Sequence, residues 1–128
     1  MVPNDRHYTK EHEWVKVDGE TGTVGITDHA QKQLGDIVFV EVPELDTELE
    51  KGDEAASIES VKAVADVFSP VSGTVIGVNE ALEDEPELVN KDAQGEGWLF
   101  KLRIEDKSEL DGLMDAASYE KYLEEEEG

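Results

Sequence analysis

Apolar and polar residues alternate in short runs along much of this chain. Glu13-Trp14-Val15-Lys16-Val17 and Thr23-Val24-Gly25-Ile26 each alternate, and the turn formers Asp18-Gly19-Glu20-Thr21-Gly22 lie between them. That pattern predicts a β-hairpin. Thr27-Asp28 then offers an N-cap for a short helix through Ala30, Gln31 and Leu34, stopped by Gly35. The most apolar run, Ile37-Val38-Phe39-Val40, predicts a strand over 36–42, ended by Pro43. Residues 45–49 read as loop. Gly52 opens a strand leading to Lys62, and 63–68 and 73–78 predict further strands around a Ser69-Pro70 turn. Asn79-Glu80-Ala81-Leu82 predicts one capped helical turn and Leu88-Val89-Asn90 another. Trp98, Phe100, Leu102 and Ile104 mark the apolar face of a last strand.

Beyond Ile104 the period changes. Leu110, Leu113, Met114, Tyr119, Tyr122 and Leu123 recur at helical spacing, with Ser108 and Asp115 suited to cap helices. The acidic run 124–127 is expected to be a solvated, frayed end. The pattern as a whole predicts one domain: a polar, loosely attached lead-in over 1–12, an all-β core over 13–104, and a helical C-terminus over 105–128. Strand–turn–strand units on either side of Lys62 suggest two similar sheets packed face to face, with the Lys62 hairpin joining their halves.

Composition narrows the function. A chain of 128 residues suits a single core, and 38% apolar content is low but sufficient for a small sheet-rich one. Cysteine is absent, which removes disulfides, thiolate metal sites and cysteine nucleophiles. The first residues hold no apolar run, so no signal peptide is expected, and no stretch is long and apolar enough to span a membrane. A cytoplasmic protein is the expectation. With 33 acidic and 11 basic residues the net charge is −22, which argues against binding nucleic acid or an anionic membrane surface. The ordered strand pattern speaks against disorder, leaving adaptation to a salt-rich cytoplasm, and hence a halophilic source, as the expected origin of the charge.

In so acidic a chain, the lysine at the centre of Ser57-Ile58-Glu59-Ser60-Val61-Lys62-Ala63-Val64-Ala65-Asp66 stands out. An isolated lysine at a strand end is ordinarily a solvated edge charge that discourages aggregation. Here it lies between two short strands, at the expected tip of a hairpin, with the small, uncharged Val61 and Ala63 beside it. Glu59 and Asp66 bracket it, at a spacing suited to recognition by a modifying enzyme. An amide at its ε-amine would hang a group on a long flexible stem, as carrier domains require. The histidines His7, His12 and His29 do not fall at metal-ligand spacing, so no metal site is expected, and the glycines form no phosphate-cradling loop.

Ile58-Glu59-Ser60-Val61-Lys62-Ala63, followed by Asp66 and Ser69-Pro70-Val71-Ser72-Gly73, resembles the lipoyl-attachment region of glycine cleavage system H proteins. The resemblance extends through Tyr8-Thr9-Lys10-Glu11-His12-Glu13-Trp14-Val15, residues 25–31 and 34–40, Val78-Asn79-Glu80-Ala81-Leu82, residues 86–90 and Gly95-Glu96-Gly97-Trp98-Leu99. The order and spacing of these blocks are more specific than any one of them.

The resemblance implies a carrier rather than an enzyme. Its fold would be a flattened barrel or sandwich of two antiparallel sheets with C-terminal helices. Lys62 would bear lipoic acid as N6-lipoyl-lysine, joined by a lipoyl-attaching enzyme that reads Glu59, Ser60, Val61, Ala63 and Asp66. The arm would collect an aminomethyl unit from glycine decarboxylase (P protein), deliver it to aminomethyltransferase (T protein) and be reoxidised by dihydrolipoyl dehydrogenase (L protein). By the same resemblance Glu13, with His12 and Asp66 nearby, would line a cleft that shelters the cationic cargo from water. The chain departs from the family pattern at Ala55-Ala56, at Ala65 and at Ala93-Gln94, where a Pro-Tyr pair is common; these departures are expected to touch cleft lining and partner fit.

Two other readings of Lys62 stay open at the level of sequence. A biotinyl or lipoyl domain of another complex is one, although methionines usually flank a biotinyl lysine and Asp usually precedes the lysine of a 2-oxo acid dehydrogenase domain. A Schiff-base lysine is the other, and it needs a desolvated amine that a hairpin tip does not supply.

Overall fold

The structure, a computed structural model, describes residues 3–127. The alternating segments become β1 (His7–Tyr8), β2 (Glu13–Asp18), β3 (Thr21–Ile26), β4 (Ile37–Glu41), β5 (Glu48–Leu49), β6 (Glu54–Ser60), β7 (Val64–Phe68), β8 (Gly73–Val78) and β9 (Phe100–Ile104). They form two antiparallel sheets, one ordered β1-β2-β3-β9-β8-β5 and one ordered β4-β6-β7. The sheets make an open sandwich. Val15, Val24, Val75, Phe100 and Leu102 from the larger sheet share one buried cluster with Ile37, Val40, Ile58 and Val67 from the smaller. Each such side chain contributes about 1.5–3 kcal/mol relative to exposure.

The first helix starts and stops where its caps predict, while the single turns after it have no side-chain cap. Thr27 Oγ1 accepts the Ala30 amide at the start of α1 (Asp28–Leu34), and Gly35, at φ 82°, donates its amide to the Gln31 carbonyl at the end. That positive φ is strained for any residue with a Cβ. Single turns follow at α2 (Ala81–Asp84) and α3 (Leu88–Lys91). A 3-10 helix spans Lys107–Gly112, capped by Asp106 rather than the expected Ser108, whose amide Asp106 accepts. Asp115 Oδ1 accepts the Ser118 amide ahead of α4 (Ala116–Glu127).

Several expectations give way to tertiary contacts. The lead-in is not loose over its described residues: Tyr8 is buried in β1, its ring stacks 4.8 Å from that of Tyr119, and the Arg6 guanidinium lies 4.5 Å from the Trp14 ring centre. Within 45–49, the last two residues pair with β8 as β5. The final strand begins at Phe100; Leu99 enters the core while Trp98 is half-buried under Lys101. The run 124–127 continues α4 instead of fraying, though Glu124, Glu125 and Glu126 stay exposed as expected, and Glu126 reaches His12. The two sheets are unequal, and the Lys62 hairpin lies wholly within the smaller one, joining its β6 and β7 rather than two halves of the fold.

A second buried cluster, Tyr8, Trp14 and Tyr119, ties the larger sheet to α4. Trp14 faces Gly25 across β2 and β3, and a Cβ at Gly25 would sit 2.6 Å from the indole ring. The glycine is what lets the ring lie flat on the strand, where its Nε1 donates to the carbonyls of Ile26 and Ala93.

Candidate functional site

β6 and β7 run antiparallel up to a tip at 61–63. The Ser60 amide donates to the Ala63 carbonyl at 2.8 Å, and Ser60 Oγ accepts the amides of Ala63 at 3.0 Å and Lys62 at 3.3 Å. One hydroxyl thus satisfies two backbone donors that a two-residue turn leaves open. The Val61 amide donates to the Asp36 carbonyl at 3.0 Å, fastening the tip to the segment after α1. On this tied-down turn Val61, Lys62 and Ala63 are all exposed. The lysine stem passes over Gly35, where a Cβ would stand 3.4 Å from Lys62 Cε. Among the described residues no carboxylate lies within ion-pairing distance of its amine.

Glu59 and Asp66 are exposed on the two strands beneath the tip. Glu59 lies between Phe39 and Val64 in register, and Asp66 lies opposite Ser57. Asp66 also faces Glu54, whose carboxyl it pushes above the ordinary value, with Glu41 adding to the effect.

Next to the tip, between α1 and β7, is a cleft of about 170 Å³. Ile26, Ala30, Leu34, Ile58 and Ala65 give it an apolar wall, and His12, Glu13 and Asp66 border it. Leu34 immediately precedes Gly35, so the outer part of the Lys62 stem, at Cδ and Cε, passes near the cleft. A larger groove, about 650 Å³, opens on the other side of Glu13 between Tyr8, Phe68 and Met114.

Glu13 is only 2% exposed. It follows the inward-facing alternation of β2 with Val15, so its carboxylate points into the gap between the sheets. There Oε2 accepts the Phe68 amide at 2.6 Å, a donor that edge strand β7 leaves unpaired in its own sheet, and Oε1 accepts from Thr9 Oγ1 at 3.0 Å. Burial outweighs both hydrogen bonds and pushes its carboxyl up to about 7. A neighbouring cation would draw the proton off; without one, the site is poised between its charged and neutral forms.

His12 has φ 68°, unusual for a residue with a side chain, and its carbonyl accepts the Thr27 amide. Its Nδ1 lies 2.8 Å from Tyr119 Oη, which is 2.7 Å from Thr27 Oγ1, while Nε2 lies 3.4 Å from Glu126. Burial first, and His29 second, hold its pKa below the ordinary imidazole value, against the opposing pull of Glu126. Its polar atoms face α4, making it a brace for the cleft wall.

The departures from the family pattern have mostly structural places. Ala65 alone among them lines the cleft. Ala56 is core and Ala55 packs against it. The Ala93 carbonyl accepts Trp14 Nε1, and Gln94 Oε1 accepts the Asp28 amide at the start of α1. Sequence patterning had not marked Thr9, Phe68 or Asp36, whose parts in the site come from contacts between segments far apart in the chain.

A family model described as glycine cleavage H-protein matches residues 6–126. The chain belongs to that family. It is 54% identical over 121 residues to the glycine cleavage system H protein of Thermotoga maritima, covering 94% of this chain and 98% of that one. To the same protein of Beijerinckia indica it is 58% identical over 116 residues, covering 91% and 94%. A crystal structure of the H protein from Mycobacterium marinum superposes with a TM-score of 0.85 at 35% identity, covering 92% of this chain and 95% of that one. Family membership makes the protein a lipoyl carrier of the glycine cleavage system and not an enzyme. It bears lipoate covalently on a lysine and works with the P, T and L proteins.

Proposed function

We propose that Lys62 is the lysine that bears the lipoyl group. The reading rests on one observation: Lys62 is exposed on a turn held by Ser60 and Asp36, and its amine has no carboxylate partner among the described residues. A rigid base and an unpaired amine suit acylation at Nζ by a lipoyl-attaching enzyme, and an exposed amine lacks the desolvation a Schiff-base lysine needs. When bound, the group supplies a disulfide that accepts and releases the aminomethyl cargo. Around the tip, Glu59, Ser60, Val61, Ala63 and Asp66 are the recognition residues. Intact-mass spectrometry of protein made with lipoate and a lipoyl-attaching enzyme tests the assignment. One lipoyl increment is expected on the natural chain and none on Lys62→Arg; an increment that survives the substitution overturns it.

The cleft beside the stem is proposed to shelter the cargo. Its aliphatic wall excludes water, and Glu13, with Asp66 at the rim, offers negative charge to a cationic amine, while His12 holds the wall against α4. Entry of the cation would favour ionised Glu13, so sheltering should strengthen as pH rises through about 7. Glu13→Gln, which keeps a hydrogen-bonding side chain, is expected to leave attachment intact and speed ammonia release from the loaded form. Release at the wild-type rate across that range refutes the role.

The same reading takes residues 1–128 as one carrier domain working in the cytoplasm. Its charge of −22 fits a salt-rich interior, where screening relieves self-repulsion. Thermal melts from low to molar salt should then show a rising midpoint; a flat series removes the halophilic assignment.

A further inference from the structure

Between β1 and β2 the chain turns through residues 9–12 and delivers Glu13 to the gap between the sheets. Thr9 holds that turn at several points. Its amide donates to the Glu13 carbonyl at 2.9 Å, and its carbonyl accepts the His12 amide at 3.1 Å. Its Oγ1 accepts the amides of Glu11 and Glu13, both at 3.2 Å, and donates to Glu13 Oε1 at 3.0 Å. A hydroxyl has one proton and two lone pairs. Two amides, which can only donate, occupy the lone pairs here, so the proton has one direction left, toward the carboxylate. A protonated Glu13 cannot hand its own proton to that oxygen, and the hydroxyl acts only as a donor to it. The Phe68 amide is the matching donor to Oε2 at 2.6 Å. Glu13 borders both the cleft and the larger groove, whereas Thr9 lines only the groove. It therefore reaches Glu13 from the side away from the cleft.

We propose that Thr9 is a positioning residue for Glu13: its hydroxyl aims the carboxylate and favours the charged form that a cationic cargo needs. The proposal rests on the reading that Glu13 guards the cargo. Burial pushes the Glu13 carboxyl up to about 7, and the Phe68 amide and then the Thr9 hydroxyl hold it down from a higher value. Where that hold is weakened, the carboxyl stays neutral to higher pH and offers a cationic amine no countercharge. The other charged or titratable groups around Glu13 are Glu11 and His12 in its own turn, Asp66 on β7 across the cleft, and Lys10 and Lys51 across the groove. Replacing the Thr9 hydroxyl by a methyl leaves all of them in place, so a change in the proton affinity of Glu13 reports the lost hydrogen bond.

The test compares Thr9→Val, which puts a methyl where the hydroxyl was, with Thr9→Ser, which keeps the hydroxyl. Full-length protein, isotope-labelled at the glutamate carboxyls, is titrated by NMR, and the Glu13 signal is the one missing from Glu13→Gln. Thr9→Val should raise its midpoint by about one pH unit, and Thr9→Ser should leave it near the natural value. Ammonia release from the lipoylated, cargo-loaded chain should follow, its pH profile moving up in Thr9→Val and returning in Thr9→Ser. A threonine that only packed the turn would displace neither midpoint. A folded Thr9→Val with the natural carboxyl midpoint overturns the proposal. A displaced midpoint with an unchanged release profile supports the hold of Thr9 on the carboxyl and overturns the sheltering role of Glu13 instead, so the two failures are distinct. Should Thr9→Val not fold, the natural chain decides. The Glu11 amide proton is joined to the Glu13 carboxyl through Thr9 Oγ1 and should shift with the Glu13 midpoint; an amide signal that ignores that midpoint overturns the proposal.

Discussion

Glu13→Gln offers a sharp test of how this fold handles a buried charge. The natural carboxyl titrates near its ordinary 4.5 in the unfolded chain and at about 7 in the folded one, chiefly because burial disfavours the anion. Between those values the folded state holds the proton more tightly than the unfolded state, so stability falls as pH rises and levels off above about 7. At about 1.4 kcal/mol per tenfold change in proton affinity, the interval corresponds to a loss on the order of 3 kcal/mol. Glutamine cannot ionise, yet it keeps an acceptor for the Phe68 amide. The nearby His12 has a lowered pKa, and its contribution runs the other way, rising with pH below its ordinary 6.5. The wild-type curve alone therefore mixes the two, and the informative quantity is the difference between variant and wild type. Urea unfolding at fixed salt from about pH 5 to about pH 8.5 should show the variant gaining steadily on the wild type, by about 2–3 kcal/mol over the range. Parallel curves would refute the claim that Glu13 is ionised against a burial penalty.

Other substitutions probe the supports of the site. Gly25→Ala places a methyl against the Trp14 indole and should cost about 1–3 kcal/mol by overpacking, with a shift in tryptophan fluorescence. Ser60→Ala removes the acceptor shared by the Lys62 and Ala63 amides; faster hydrogen exchange at both and a stability loss of about 1 kcal/mol are expected. Tyr119→Phe keeps the stack on Tyr8 but removes the hydroxyl between Thr27 and His12. Denaturant melts should show a cost of about 1–2 kcal/mol, and an unchanged midpoint would deny that this hydroxyl braces α4.

Local pattern was enough for the first hairpin, for α1 with its Thr27 and Gly35 caps, and for the exposed position of Lys62. Each depends on side-chain alternation or on turn chemistry within a few residues, and those are printed in the chain. The resemblance of ordered blocks to H proteins went further and pointed to the family from sequence alone. Tertiary structure decided the rest. An apolar run such as Ile37-Val38-Phe39-Val40 does not disclose a bulge, because the bulge follows from register with β6. A polar lead-in gives no sign that Tyr8 will be buried, because the Tyr119 that covers it lies at the other end of the chain. The glutamate beside Trp14 could have been a surface charge. Only the approach of the second sheet buries it against the Phe68 amide, and that burial sets its proton affinity.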